Sequence, residues 1–174
     1  RAEGCCAVAL QPRAGARDAI VDAIAVRQDG RSASLTAPNG QAQRDVLAAS
    51  LADARLAAEE AAVLEAHGTG TALGDPIEAG AVAAVFSAQD CAPVIGSLKA
   101  NAGHTEPGAG LAGALKLLIV LLETSAGSPN AQLRVLNPHV GARLAGVQSA
   151  LPTQLAALSS AEAGGAGGVS SFGY

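Results

Sequence analysis

Apolar residues follow two rhythms along this chain. Short runs that are apolar almost throughout occur at Cys5–Leu10 ("CCAVAL"), Ala19–Arg27 ("AIVDAIAVR"), Ala62–His67 ("AVLEAH") and near Val94–Leu98. Runs of that length predict buried strands. Elsewhere the spacing is helical. From Gln41 to about Leu56, Val46, Leu47, Leu51 and Ala54 recur on one side, with Arg and Asp on the other. Asp75, Pro76 and Glu78 match an N-cap, a first helical position and a capping-box partner, which predicts a helix to about Ser87. A third helix, about Gly108 to Glu123, carries the longest apolar run, Leu111–Leu122. That run is too short to span a bilayer and contains Lys116, so it predicts a buried core helix.

The segments between are turn-rich. Gln28–Gly40 holds Asp-Gly, Asn-Gly and Pro38, and reads as loop. Ser125–His139 reads as irregular, Gly146–Leu158 as a short strand and turn, and Ser159–Gly168 as a low-complexity loop. Apolar strands alternating with helices predict an α/β fold, with a mostly parallel or mixed sheet covered by helices on both faces.

Composition narrows the possible partners. The 174 residues carry a net charge of -4 and no clustered Lys and Arg, which argues against nucleic acid, and no run suits a membrane span. Cys5, Cys6 and Cys91 show no metal-ligand spacing and read as buried, reduced thiols. No signal peptide is visible. Both ends look cut, at "RAEGCCAVAL" and at "GGVSSFGY", so a piece of a longer chain is expected.

Two histidines stand beyond apolar strands, each before a turn and a helix. His67 precedes Gly68, Thr69, Gly70 and Thr71, and His104 follows "VIGSLKANAG". In open α/β sheets ligands gather beyond the strand ends, where the two imidazoles can meet. The glycines let backbone approach a ligand closely, and the Thr69 and Thr71 hydroxyls can bond an amide-bearing one. A Lys99–Glu78 ion pair would set the field around His104. Each residue also has a plain structural explanation. His67 can be a satisfied turn residue, Thr69 and Thr71 can bond turn backbone, Lys99 can lie on the surface, and Glu78 can be only a cap. His139, in "NPHV", reads as structural, and a metal site built from the three histidines lacks carboxylate or thiolate support.

Five segments in register carry a more specific signal. "EAHGTGTALGDPIEAG", "GSLKANAGHTEPGAGLAG", "GVSSFGY", "QDGRSASLTAPNG" and "EGCCAVAL" together resemble the C-terminal half of a β-ketoacyl synthase. The likeness is to the ketosynthase domain of type I modular polyketide synthases, and it covers essentially residues 1–174. It implies one half of a thiolase-like fold, a five-stranded mixed sheet with helices on both faces. It also implies a decarboxylative Claisen condensation of malonyl-type extender units with an enzyme-bound acyl thioester.

Roles carry over to matching positions. His67 and His104 match the two histidines that assist decarboxylation and stabilise the enolate oxygen. Lys99 matches the lysine before the second histidine, and Glu78 the acid paired with it. Thr69 and Thr71 match threonines that contact the pantetheine arm of the acyl carrier protein. Tyr174 falls at a gating position whose backbone N–H helps form the oxyanion hole. No cofactor is implied beyond that phosphopantetheine arm. The implied partners are the carrier protein, the N-terminal half and a second copy of the full-length chain. The location implied is cytoplasmic, with a plastid as the other option.

The sequence departs from the pattern in places. The nucleophilic cysteine belongs to the N-terminal half and is absent here, and none of Cys5, Cys6 or Cys91 has its context. Arg27 stands where the family usually has Asn before "QDG", and the segment that follows "SFGY" is cut off. Two other readings follow: a non-catalytic half that binds a carrier protein or partner half, and a variant that only decarboxylates.

Overall fold

The computed structural model describes residues 2–12, 19–31, 34, 37–87, 93–123, 126–147, 151–154, 156–157 and 165–173. The first helix, α1, spans Gly40–Ala54. The side chain of Asn39 caps it, accepting the N–H groups of Gln41 and Ala42, and Arg55 ends it in the left-handed region at φ 58°. Strand β1 is Ala61–Glu65, helix α2 is Gly74–Phe86, and strand β2 is Val94–Gly96. A short helix, α3, covers Lys99–Ala102, and the long apolar helix α4 runs Ala109–Glu123. Then come β3 (Ala126–Gly127), α5 (Pro138–Leu144), β4 (Ala156–Ala157) and β5 (Ala166–Val169).

The main sheet has the order β2–β1–β5, with both pairings parallel. Strand β1 is central and buried along its whole length, which explains the apolar run Ala61–Leu64. Its two faces feed two cores. Leu64 packs with Val82 and Phe86 of α2, backed by Leu47 and Leu51 of α1 and Leu144 of α5. Ala62 and Val63 pack with Val94 and with Leu117 and Val120 of α4. Helices therefore cover both faces, as the alternation of strand and helix predicts.

The strand count departs from the expectation. Among the described residues the strands form a three-stranded parallel sheet and a separate antiparallel pair, β3 with β4, not one five-stranded mixed sheet. The segments Cys5–Leu10 and Ala19–Arg27 join neither ladder. Leu10, Ile24 and Val26 are about three-quarters exposed, at 77, 76 and 76%. Apolar, β-branched residues favour extended backbone, but a strand also needs an edge to pair with. The outer edge of β2 is taken by a side chain. Buried Asn130 accepts the N–H of Ser97 at 3.0 Å and donates to the carbonyl of Ile95 at 3.1 Å, standing in for a strand neighbour. Cys5 is accordingly exposed and Cys6 only partly covered, contrary to the buried thiols expected. Cys91 lies outside the described residues.

Three smaller corrections follow. The glycine-rich end of Ser159–Gly168 is not all loop, since Ala166–Val169 pairs with β1. A Cβ at Gly167 would sit 2.7 Å from a Leu117 methyl, so glycine is what lets α4 lie close to β5. His139 sits on α5, a helix started by Pro138 and capped by the Asn137 side chain. Asp75 is not the N-cap of α2. Leu73 holds that position without a side-chain bond, and the carboxylates of Asp75 and Glu78 turn instead toward the preceding loop. No described helix is long and apolar enough to cross a membrane.

Candidate active site

Because β1, β2 and β5 are parallel, their C-terminal ends open on the same side. Three segments leave there: 66–73 after β1, 97–105 after β2 and 170–173 after β5. The first carries His67, the second Lys99 and His104, and the third Phe172. The His67 ring meets the His104 ring edge to face, with centroids 5.7 Å apart and planes at 90°. It meets the Phe172 ring at 5.6 Å and 67°. The pair foreseen from separate stretches of sequence is thus one cluster.

The two rings share a tautomer. The Phe172 N–H donates to Nδ1 of His67 at 3.3 Å, and the Glu106 N–H donates to Nδ1 of His104 at 3.0 Å. A nitrogen that accepts carries no proton, so in each neutral ring the proton resides on Nε2. His67 is 5% exposed, and its pKa is lowered from 6.5 to about 4. Burial is the main cause, followed by the Lys99 and His104 charges. The ring is therefore neutral near pH 7 and a donor through Nε2–H.

The His67 loop is fixed from three sides. Glu78, buried on α2, accepts the N–H of His67 at 2.7 Å and of Gly68 at 2.8 Å. Burial raises its carboxyl above the usual range, while these two bonds pull the other way. Asp75 accepts the N–H groups of Gly70 and Thr71 at 3.1 and 3.2 Å, and burial raises its carboxyl as well. Ser97, at the end of β2, donates to the Gly68 carbonyl at 3.2 Å. Gly68 has φ 47°, and a Cβ there would stand 2.8 Å from Cβ of Ser97, so the position requires glycine.

Glu78 makes no ion pair with Lys99 within 4 Å among the described residues, because its oxygens face the His67 backbone. Its charge still acts on Lys99. Burial lowers the Lys99 pKa, and the carboxylates of Glu65 and Glu78 oppose that, Glu65 more strongly. Thr71 accepts the Gly74 N–H at 3.1 Å, a turn-backbone role. Thr69 donates toward Thr71 at 3.5 Å and is only partly covered, so its hydroxyl lies at the loop surface. Tyr174 lies outside the described residues. A groove between the start of α2 and α5, lined by Leu73, Ile77, His139 and Arg143, includes neither His67 nor His104. Among the described residues no three His, Cys, Asp or Glu side chains are placed to hold a metal ion.

Four residues of the site were missed in the sequence: Ser97, Asn130, Glu65 and Lys116. The last two left a signal, a lone carboxylate in an apolar strand and a lone ammonium in an apolar helix. Such charges are rarely buried unless they meet. They do, with Nζ of Lys116 2.6 Å from Oε2 of Glu65.

Two imidazoles thus meet beyond the C-terminal ends of a parallel sheet that carries helices on both faces, an α/β architecture. Residues 18–133 match the pattern of the family described as "Beta-ketoacyl synthase, C-terminal domain", and the chain belongs to that family. It is 52% identical over 106 residues to a polyketide synthase of Streptomyces halstedii, covering 59% of this chain and 1% of that protein. It is 41% identical over 155 residues to a phenolphthiocerol/phthiocerol polyketide synthase of Mycobacterium tuberculosis, covering 89% and 10%. Among solved structures, the ketosynthase from module 6 of the bacillaene synthase of Bacillus subtilis 168 superposes with a TM-score of 0.70 at 30% identity, over 79% of this chain and 25% of that one. An oxazolomycin ketosynthase domain of Streptomyces albus gives 0.70 at 35%, over 79% and 24%. The chain thus spans at most a tenth of these curated relatives and about a quarter of these ketosynthase structures.

Proposed function

We propose that this chain supplies the C-terminal half of a polyketide ketosynthase, which joins a malonyl-type extender on an acyl carrier protein to an enzyme-bound acyl chain. The observation that carries this reading is the matched pair of Nε2–H donors on His67 and His104, 5.7 Å apart between ring centroids. Loss of CO2 breaks the bond between the carboxylate carbon and the α-carbon. The electron pair passes into an enolate, and negative charge gathers on the thioester oxygen. Donors already aimed at that oxygen lower the barrier, and removing one such donor costs about 3 kcal/mol. Neutral rings suit the task, since a donor that need not give up its proton holds the charge without quenching the carbanion.

The carbanion then attacks an acyl thioester on a cysteine of the N-terminal half. A carbon–carbon bond forms, and the cysteine leaves as thiolate. The Lys99 ammonium adds a positive field beside both rings. Thr69 contacts the phosphopantetheine arm at the loop surface, while Thr71 holds the loop's shape. The backbone N–H of Tyr174 contributes to the oxyanion hole of the condensation step. The full synthase works as a homodimer in the cytoplasm, with the carrier protein as its substrate-bearing partner.

The test is His104→Ala in the full-length synthase, with CO2 release from malonyl carrier protein as the readout. The rate should fall about 100-fold or more. An unchanged rate would remove His104 from the reaction and this reading with it.

A further inference from the structure

Glu65 and Lys116 form a buried ion pair that the reaction above does not use. Their side chains are 3% and 12% exposed. A buried pair of this kind adds little net stability, and apolar replacements of similar volume are often as stable. Its presence therefore calls for a reason other than holding the core together.

The geometry supplies one. Oε2 of Glu65 takes the Lys116 ammonium, while Oε1 accepts the N–H of Leu98 at the start of α3. His104 lies in the connection between α3 and α4. A single carboxylate on β1 thus grips the chain on both sides of His104. The same β1 leads directly into His67, so the grip ties one histidine's strand to the other's loop. Space is kept for it: a Cβ at Gly96 would stand 2.8 Å from the Lys116 nitrogen, and one at Gly113 3.0 Å from Cγ of Glu65.

We infer that Glu65, held by Lys116, is a positioning residue that sets the His104 connection and Lys99 relative to His67, without touching the substrate. The inference rests on the ketosynthase reading above. It has an electrostatic side as well. Lys99 is faced by Glu65 from β1, Glu78 from α2 and Lys116 from α4, and Glu65 is the strongest influence keeping it protonated against burial. Removing that charge moves the titration of Lys99 to lower pH.

The experiment compares Glu65→Gln, Lys116→Met, the double variant and His104→Ala in the full-length synthase. CO2 release from malonyl carrier protein is measured across pH, together with thermal unfolding. Glu65→Gln should lower kcat roughly 10- to 100-fold with KM unchanged. The alkaline limb of its pH profile should move to lower pH. The double variant removes both buried charges, so it should recover stability but not rate. A folded Glu65→Gln enzyme with wild-type rate and alkaline limb would overturn the inference. If Glu65→Gln does not fold, the double variant decides: recovery of rate along with stability would make the pair a packing contact only. Full decarboxylation by His104→Ala would instead strike at the ketosynthase reading itself.

Discussion

The two histidine loops meet at one site and are built in different ways. His67 itself is buried, and its loop is held by side chains: Glu78 and Asp75 on main-chain N–H groups, and Ser97 on a carbonyl. Even its ring is set at long range, by the N–H of Phe172. The His104 loop is partly open, and its ring is set by the N–H of Glu106, two residues on. The grip of Glu65 on the flanking helices ties it to β1. A neutral Nε2–H donor can thus be made by global burial or by a local turn, provided that some main-chain N–H reaches Nδ1.

The largest break in that contrast should come at Glu78. Glu78→Ala strips the acceptor from two main-chain N–H groups around the buried His67, at a cost of about 2 to 5 kcal/mol. Urea unfolding of the full-length synthase should show that loss, and decarboxylation should fall with it.

A smaller effect separates the loops by pH. The unfolded chain protonates His67 near 6.5, while the folded one resists until about 4. Between those values the unfolded state binds more protons, so stability falls as pH drops through that window. The loss due to His67 should reach about 2 kcal/mol near pH 5. His67→Gln should flatten this part of the profile. Glu78 and Asp75, raised by burial, act in the opposite sense in both proteins and drop out of the difference.

Local pattern exposed much of this molecule and concealed a definable part of it. Helix α1 follows from spacing, α2 from the Asp75–Pro76–Glu78 stretch at its start and α4 from its long apolar run, and each turns residues toward the core. The two histidines follow from their place beyond apolar strands. The Asp75–Glu78 spacing also fits a capping box, and nothing local reveals that loop N–H groups will claim both carboxylates. Strand β5 hides in glycine-rich sequence, since Gly167 is there to admit α4. Ser97 and Asn130 have meaning only once β2 has an edge to close. Conversely, the apolar Cys5–Leu10 and Ala19–Arg27 segments have strand composition without a strand partner among the described residues. Glu65 and Lys116 were legible as lone charges in apolar elements, each implying the other.

The central claim is that both rings are neutral donors through Nε2 at working pH. Nitrogen-15 NMR of the histidine-labelled full-length synthase reads that state directly, with His67→Gln and His104→Gln assigning the signals. Near pH 7 both rings should show an unprotonated, hydrogen-bonded Nδ1 and a protonated Nε2. A proton on Nδ1 of either ring, or an imidazolium at His67, would contradict the account.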